Sequence, residues 1–93
     1  MSLLSIAILA RDEERLIGGC LESIAGVADD VLVLLDDRTR DRTATLAQAY
    51  GARVLLEPWR GYSAQRNRAL QLCRSEWVLF VDADERLTRE LRH

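Results

Sequence analysis

Four short apolar runs, residues 3–10, 31–35, 52–56 and 77–81, recur at fairly even intervals along the chain. They do not alternate strictly between apolar and polar positions, which is how strands covered on both faces read. Between them lie three helical patterns. In the first, Leu16, Ile17, Cys20, Leu21 and Ile24 repeat at helical spacing behind Asp12, an expected N-cap with Glu13 and Glu14 in the first turn. The second begins at Asp41 and sets Thr43, Leu46, Ala47 and Tyr50 on one stripe, with Gly51 suited to the position after a helix end. The third starts near Ser63 and presents Ala69, Leu70 and Cys73 toward a core.

Alternating strands and helices imply parallel strands joined by right-handed crossovers. The pattern therefore predicts an α/β fold, a Rossmann-like βαβαβαβ open parallel sheet with helices on both faces. Ligands of such sheets bind beyond the carboxyl ends of the strands, which makes the loops there the informative part of the sequence. With 93 residues the chain, 1–93, is expected to be a single domain with one modest core. Its two unpaired sheet edges predict self-association, with a homodimer as the simplest form. Residues 87–93 begin a further helical pattern, with Thr88 as its cap residue, that the chain does not close.

Composition narrows the function classes. A net charge of −2 gives no reason to expect nucleic acid or an anionic membrane as the main partner. All 13 basic residues are arginine, which removes mechanisms that need a lysine and favours forked contacts to phosphate or carboxylate. Cys20 and Cys73 lie far apart without metal-ligand spacing and read as core thiols. No apolar run approaches the roughly 20 residues that span a bilayer, and a cytoplasmic location is the expectation. His93, the sole histidine, sits at the chain end and is not assigned to catalysis.

Three of the four post-strand loops are acidic: Asp12-Glu13-Glu14, Asp36-Asp37 and Asp82-Ala83-Asp84-Glu85. Carboxylates crowded on one rim repel each other unless they cap helices, pair with arginines, hold a cation or accept ligand donors. In extended chain Asp82 and Asp84 point to the same side. Such a pair suits Mg²⁺ or Mn²⁺ shared with a substrate diphosphate, the alternative being a solvated turn that begins a helix. Asp36 either accepts hydrogen bonds from a nucleobase or ribose, or forms a turn salt-bridged to Arg38, Arg40 or Arg42. Of Arg66 and Arg68, two apart near the start of the third helix, one is available to an anion and the other is structural.

These residues, from about Leu4 to Leu91, resemble the inverting family 2 glycosyltransferases of the GT-A fold. Ala10-Arg11-Asp12-Glu13-Glu14 is similar to the family's Ala-Lys/Arg-Asn-Glu-Glu. The segment from Asp36 through Thr43 resembles its Asp-Asp/Ser-Gly-Ser-Thr-Asp-x-Thr loop, and the segment from Gly61 to Leu70 looks like Gly-x-x-x-Gln-Lys/Arg-Asn-x-Ala-Leu. Asp82-Ala83-Asp84-Glu85-Arg86 follows the fourth strand as in the family, and with Gln65-Arg66-Asn67 it resembles the bacterial glucosyltransferases of lipopolysaccharide-core assembly.

The resemblance implies a partial GT-A fold that binds a nucleotide-sugar donor, a uridine diphosphate sugar above all. It implies that Ala10, Asp12, Glu13 and Glu14 border the nucleotide, Asp36 contacts the base, and Arg66 helps hold it. Asp82 would meet ribose, and Asp82 with Asp84 would meet the metal-diphosphate, Mg²⁺ or Mn²⁺ being the cofactor. The implied reaction is inverting transfer to a glycan or lipid-linked acceptor in cell-envelope synthesis, at the inner face of the membrane. Family members continue with strands that shape the acceptor site and supply a catalytic carboxylate, so no catalytic residue is assigned here and the chain alone is expected to be inactive. Asp12 departs from the family's asparagine, and Arg38 and Arg40 depart from its glycine and threonine.

Rival readings fit less well. A receiver domain needs a lysine and places its acids after the first and third strands. A nucleotidyltransferase calls for a glycine-rich loop where residues 10–14 have no glycine. A non-catalytic nucleotide-binding or dimeric assembly module remains the alternative.

Overall fold

The computed structural model describes residues 4–83, so the expectations for Asp84, Glu85 and residues 87–93 lie outside the described residues. In chain order the elements are β1 (Leu4–Ala10), α1 (Glu14–Ser23), β2 (Asp30–Asp36), α2 (Thr43–Ala49), β3 (Arg53–Glu57), α3 (Tyr62–Leu72) and β4 (Trp77–Phe80). All strand pairs are parallel, in the order β3-β2-β1-β4. The chain is the expected Rossmann-like α/β sheet.

Each central strand sends alternate side chains into two different cores. Ile6 and Ile8 of β1, with Val33 and Leu35 of β2, meet Ile17, Cys20, Leu21 and Ile24 of the α1 segment and Ala47 of α2. On the opposite face Ala7, Leu32 and Leu34 pack against Ala69 of α3. This two-sided burial explains why β1 and β2 read as continuous apolar runs. It fails for the outer strands: Leu56 of β3 is 61% exposed and Trp77 of β4 71% exposed, because an edge strand has one neighbour and little helix over it.

The helical stripes need two corrections. Leu16 and Leu70 point outward, each one residue off the buried stripe beside it, and in α3 the buried positions are Gln65 and Ala69. Tyr50 is also exposed, but its ring lies against Gly18 of α1, where an added Cβ would come within 3.4 Å of it. Gly51 does end α2, at φ 87°, and the N–H groups of Gly51 and Ala52 donate to the carbonyls of Gln48 and Ala47.

At the amino ends of the strands a buried carboxylate joins the elements. Asp30 accepts from the Ser5 hydroxyl at 2.8 Å, from Arg53 Nε at 2.9 Å and Arg53 NH2 at 3.1 Å, and from the Arg74 N–H at 3.1 Å. Arg53 NH2 also donates to the Leu72 carbonyl at 2.9 Å. One acid therefore ties β1, β2, β3 and the end of α3 together. Burial alone would raise its pKa, but the hydrogen bonds from Arg53, Ser5 and Arg74 outweigh this and lower it from 3.8 to about 2.

A folded-state pKa below the unfolded value means that stability is fully present above about pH 4 and is lost as pH falls toward 2. We expect Asp30→Asn to lower the unfolding free energy at pH 7 by about 2 kcal/mol. Urea unfolding followed from pH 6 to pH 2 checks both points: the wild-type midpoint should fall more steeply over the acid limb than that of the variant.

Candidate functional site

Parallel pairing brings the carboxyl ends of β1 and β2 to one level, Leu9 opposite Leu34 and Ala10 opposite Leu35. Above them opens a cavity of about 300 Å³ on the α3 side of the sheet. Leu9, Ala10 and Leu34 form its base. Arg11, Glu13, Asp36, Arg38 and Asp82 supply charge around it, and Trp59, Tyr62 and Gln65 close the side formed by α3 and the loop before it. Gly61, at φ 102°, makes the turn into α3, a backbone geometry that disfavours any side chain. The volume lies at the low end of the roughly 300–1,000 Å³ typical of small-molecule sites.

Of the residues expected to form the site, Ala10, Glu13, Asp36 and Asp82 line this cavity together. Asp12, Glu14 and Arg66 do not, and Asp84 lies outside the described residues. Asp12 is also not the cap of α1. That position is Glu13, whose side chain makes no capping bond, while Asp12 adopts φ 49° and turns to the facing loop, accepting from the N–H groups of Arg40 at 2.8 Å and Asp41 at 3.4 Å. Aspartate tolerates this left-handed geometry better than most residues.

The exchange runs in both directions. Thr43 Oγ1 accepts from the Glu13 N–H at 2.8 Å and Asp41 Oδ2 from the Glu14 N–H at 3.0 Å, while Glu14 Oε1 accepts from the Arg42 N–H at 2.8 Å. Asp41 also accepts from the N–H of Thr43 at 3.0 Å and from its hydroxyl. The free N–H groups at the starts of α1 and α2 are thus satisfied largely by side chains of the opposite loop. This lacing uses the carboxylates of Asp12, Glu14 and Asp41.

Asp36 is 3% exposed and accepts three bonds from Arg38: from its N–H at 2.9 Å, Nε at 3.1 Å and NH2 at 2.8 Å. The side-chain bonds lead, the backbone bond follows, and together they lower its pKa from 3.8 to about 2. The salt-bridged reading of Asp36 therefore holds, and the residue also lines the cavity. Arg38 needs no left-handed backbone, since Asp12 is the only non-glycine at positive φ among the described residues.

In α3, Arg68 pairs with Glu57 and donates to Gln71 at 3.4 Å, the structural role expected of one of the two arginines. Arg66 lays its guanidinium over Phe80, 4.1 Å from the ring centroid, and 5.8 Å from that of Tyr62. It braces the cavity wall, and Gln65 faces the space that Arg66 was expected to reach.

A model of Glycosyl transferase family 2 matches residues 5–92. The chain belongs to that family. It is 40% identical over 94 residues to the lipopolysaccharide core biosynthesis glycosyltransferase LpsC of Rhizobium meliloti, across 96% of this chain and 34% of that protein. It is 36% identical over 89 residues to an uncharacterized glycosyltransferase of Rickettsia bellii, across 96% of this chain and 30% of that protein. Among solved structures it superposes on glucosyl-3-phosphoglycerate synthase of Mycobacterium tuberculosis in complex with uridine diphosphate, with a TM-score of 0.79 and 27% identity. That match covers 90% of this chain and 34% of the synthase. The same enzyme with Mn²⁺, uridine diphosphate and glucosyl-3-phosphoglycerate matches at a TM-score of 0.77 and 26% identity, over 88% of this chain and 33% of that one. The sheet is thus the GT-A type of these glycosyltransferases, and the chain spans about a third of the length of the relatives it matches.

Within this glycosyltransferase domain the Arg38 fork is what holds Asp36 ionised to such low pH. Arg38→Ala is expected to raise the Asp36 pKa from about 2 back toward 3.8, read by carboxyl-carbon NMR titration. An unmoved titration would show that the fork does not set the charge state.

Proposed function

We propose that this chain forms the donor-binding part of an enzyme that moves a sugar, with inversion, from a uridine diphosphate sugar to an acceptor hydroxyl on a glycan or lipid-linked molecule. The observation that carries this reading is the convergence of Asp36, Asp82 and Glu13 with Trp59 and Tyr62 on one cavity at the carboxyl ends of the strands. Ligands of open α/β sheets occupy that position. The matched synthase was crystallised with uridine diphosphate, and with Mn²⁺ or Mg²⁺, which supports the same donor class and metals here. The likeness to a lipopolysaccharide-core enzyme supports a role in cell-envelope glycan synthesis. No described helix is long and apolar enough to cross a membrane.

The residues fit a hard divalent cation in their chemistry. Asp82 offers carboxylate oxygen on the cavity, and a diphosphate brings further oxygens, the mixed set that Mg²⁺ and Mn²⁺ commonly take. Among the described residues no three acidic, histidine or cysteine side chains cluster as a complete protein cage, so the diphosphate itself would have to complete the shell, with Asp84 as the proposed second carboxylate. When bound, the cation would offset the charge that develops on the departing diphosphate. The chain's own residues bind and orient: the aromatic side chains flank the nucleoside, the Asp36-Arg38 pair meets its polar edge, and Glu13 and Asp82 border the phosphate side. The base that takes the proton of the acceptor hydroxyl is not assigned to this chain. The exposed edges of β3 and β4 favour pairing of two copies where nothing else covers them.

Calorimetry with uridine diphosphate, with and without Mn²⁺, on wild type and on Asp82→Ala tests this reading. Binding is expected only with the metal, and the variant should bind at least about tenfold more weakly. Equal heats in all four titrations would remove the metal role, and an absence of heat in all four would remove the donor site.

A further inference from the structure

β3 stands at the edge of the sheet and lacks most of the devices that keep an edge from pairing. Its register against β2 runs without a bulge from Arg53 opposite Leu32 to Glu57 opposite Asp36, and its two charges sit at its ends with opposite sign. The Asp37 N–H donates to the Glu57 carbonyl at 3.0 Å, so Glu57, Leu55 and Arg53 turn their backbone groups toward β2. The N–H and C=O groups of Val54 and Leu56 therefore face the open edge. Leu55, beside Leu34, is 36% exposed on the α3 face, and Leu56, beside Leu35, is 61% exposed on the other. The opposite edge offers no comparable rule, since β4 carries no charge to set a register.

We infer that β3 is a self-pairing edge: two copies of this chain join β3 to β3, antiparallel, about a two-fold axis at Leu55. The inference narrows the edge pairing proposed above to one strand and one register, and it stands apart from the donor site. Centred there, Val54 of each copy faces Leu56 of the other, and these pairs exchange N–H to C=O bonds across the axis. Arg53 comes opposite Glu57 of the second copy, where unlike charges attract, and Leu55 meets its own counterpart. Neighbouring two-fold registers lose bonds. Centring on Leu56 sets Val54 against Pro58, which has no N–H. Centring on Val54 sets Leu56 against Ala52, whose N–H already donates to the Ala47 carbonyl at 3.1 Å. A two-fold axis normal to the sheet keeps α3 of both copies on one face, so the pair forms one continuous sheet with a cavity toward each end.

Sedimentation velocity over a dilution series, on wild type, Leu56→Pro and Leu55→Arg, tests the pairing. Wild type should move to twice the chain mass as concentration rises. Proline at position 56 removes only an N–H that faces the edge, so circular dichroism should show the fold kept while association weakens at least about tenfold. Leu55→Arg sets like charges against each other at the axis and should cause a similar loss. Disulfide formation reads the register: Leu55→Cys should cross-link two copies and Leu56→Cys should not, with wild type as the control for Cys20 and Cys73. A wild type that stays monomeric at every concentration overturns the inference. Dimers that persist in both Leu56→Pro and Leu55→Arg also overturn it, and place the contact on another surface. A dimer that Leu55→Cys fails to cross-link overturns the register. If Leu56→Pro does not fold, Leu55→Arg decides alone. Calorimetry with uridine diphosphate keeps the two proposals separate: a monomeric chain that binds the nucleotide sinks the pairing and keeps the donor site, and a dimer that binds none does the reverse.

Discussion

The parallel register of β1 against β2 decides whether there is a site at all. Successive side chains of a strand point to opposite faces, so a slip of one residue would carry Asp36 from the α3 side of the sheet to the side of α1 and α2. Two independent sets of apolar contacts oppose such a slip. Ile6, Ile8, Val33 and Leu35 fit the core under α1, and Ala7, Leu32 and Leu34 fit the one under α3. Exchange of the two sets would press large side chains against α3, whose buried contact is Ala69, and leave Ala7 under α1. The difference in size between the two faces of β1 thus fixes where the carboxyl ends stand, and through them where Asp36 and the loops leading to Glu13 and Asp82 open.

Crowding so many acids on one rim is electrostatically unfavourable, and the structure sorts them by partner. Asp12, Glu14 and Asp41 turn to backbone N–H groups at the starts of α1 and α2, where the partial positive charge of the helix end favours a carboxylate. Asp36 is neutralised by Arg38. Glu13 and Asp82 line the cavity with it. The lacing of two loops draws three negative charges into backbone contacts and holds the first and second loops in fixed relation beside the cavity.

The strand and helix order was legible because a two-sided core leaves an apolar run that few other structures leave, and all four runs became strands. What the pattern missed depends on partners distant in sequence. Asp12 looks like a cap by its position before a helix, but the donors it serves lie 28 and 29 residues away. The edge strands read as buried because apolar composition does not say how many neighbours a strand has. Arg66 was expected to help hold the nucleotide from the family resemblance and its place near the start of a helix; its guanidinium lies over Phe80. Trp59, Tyr62 and Gln65 were given no site role although a signal existed: two aromatics flank the glycine turn into α3, and Gln65 belongs to the Gln-Arg-Asn motif and stands in line with Ala69 on the buried stripe. Of the Asp82 and Asp84 pair, the structure describes the first and places it on the cavity.

Two arginine-aspartate forks, at opposite ends of the same sheet, show how similar chemistry serves different ends. Each carboxylate is almost fully buried, but the Arg53 side chain is 27% exposed and the Arg38 side chain 55%. Arg53 is held on its second side by the Leu72 carbonyl, and Asp30 by Ser5 and Arg74, so separation of that pair would leave several buried groups unmatched. Asp36, by contrast, accepts three bonds from Arg38, and the solvated guanidinium can exchange one partner for another at small cost in desolvation. A fork of the first kind fixes a fold. One of the second kind, on a cavity wall, leaves its guanidinium open to other partners, and arginine at position 38 does not obstruct the turn because its backbone is not left-handed.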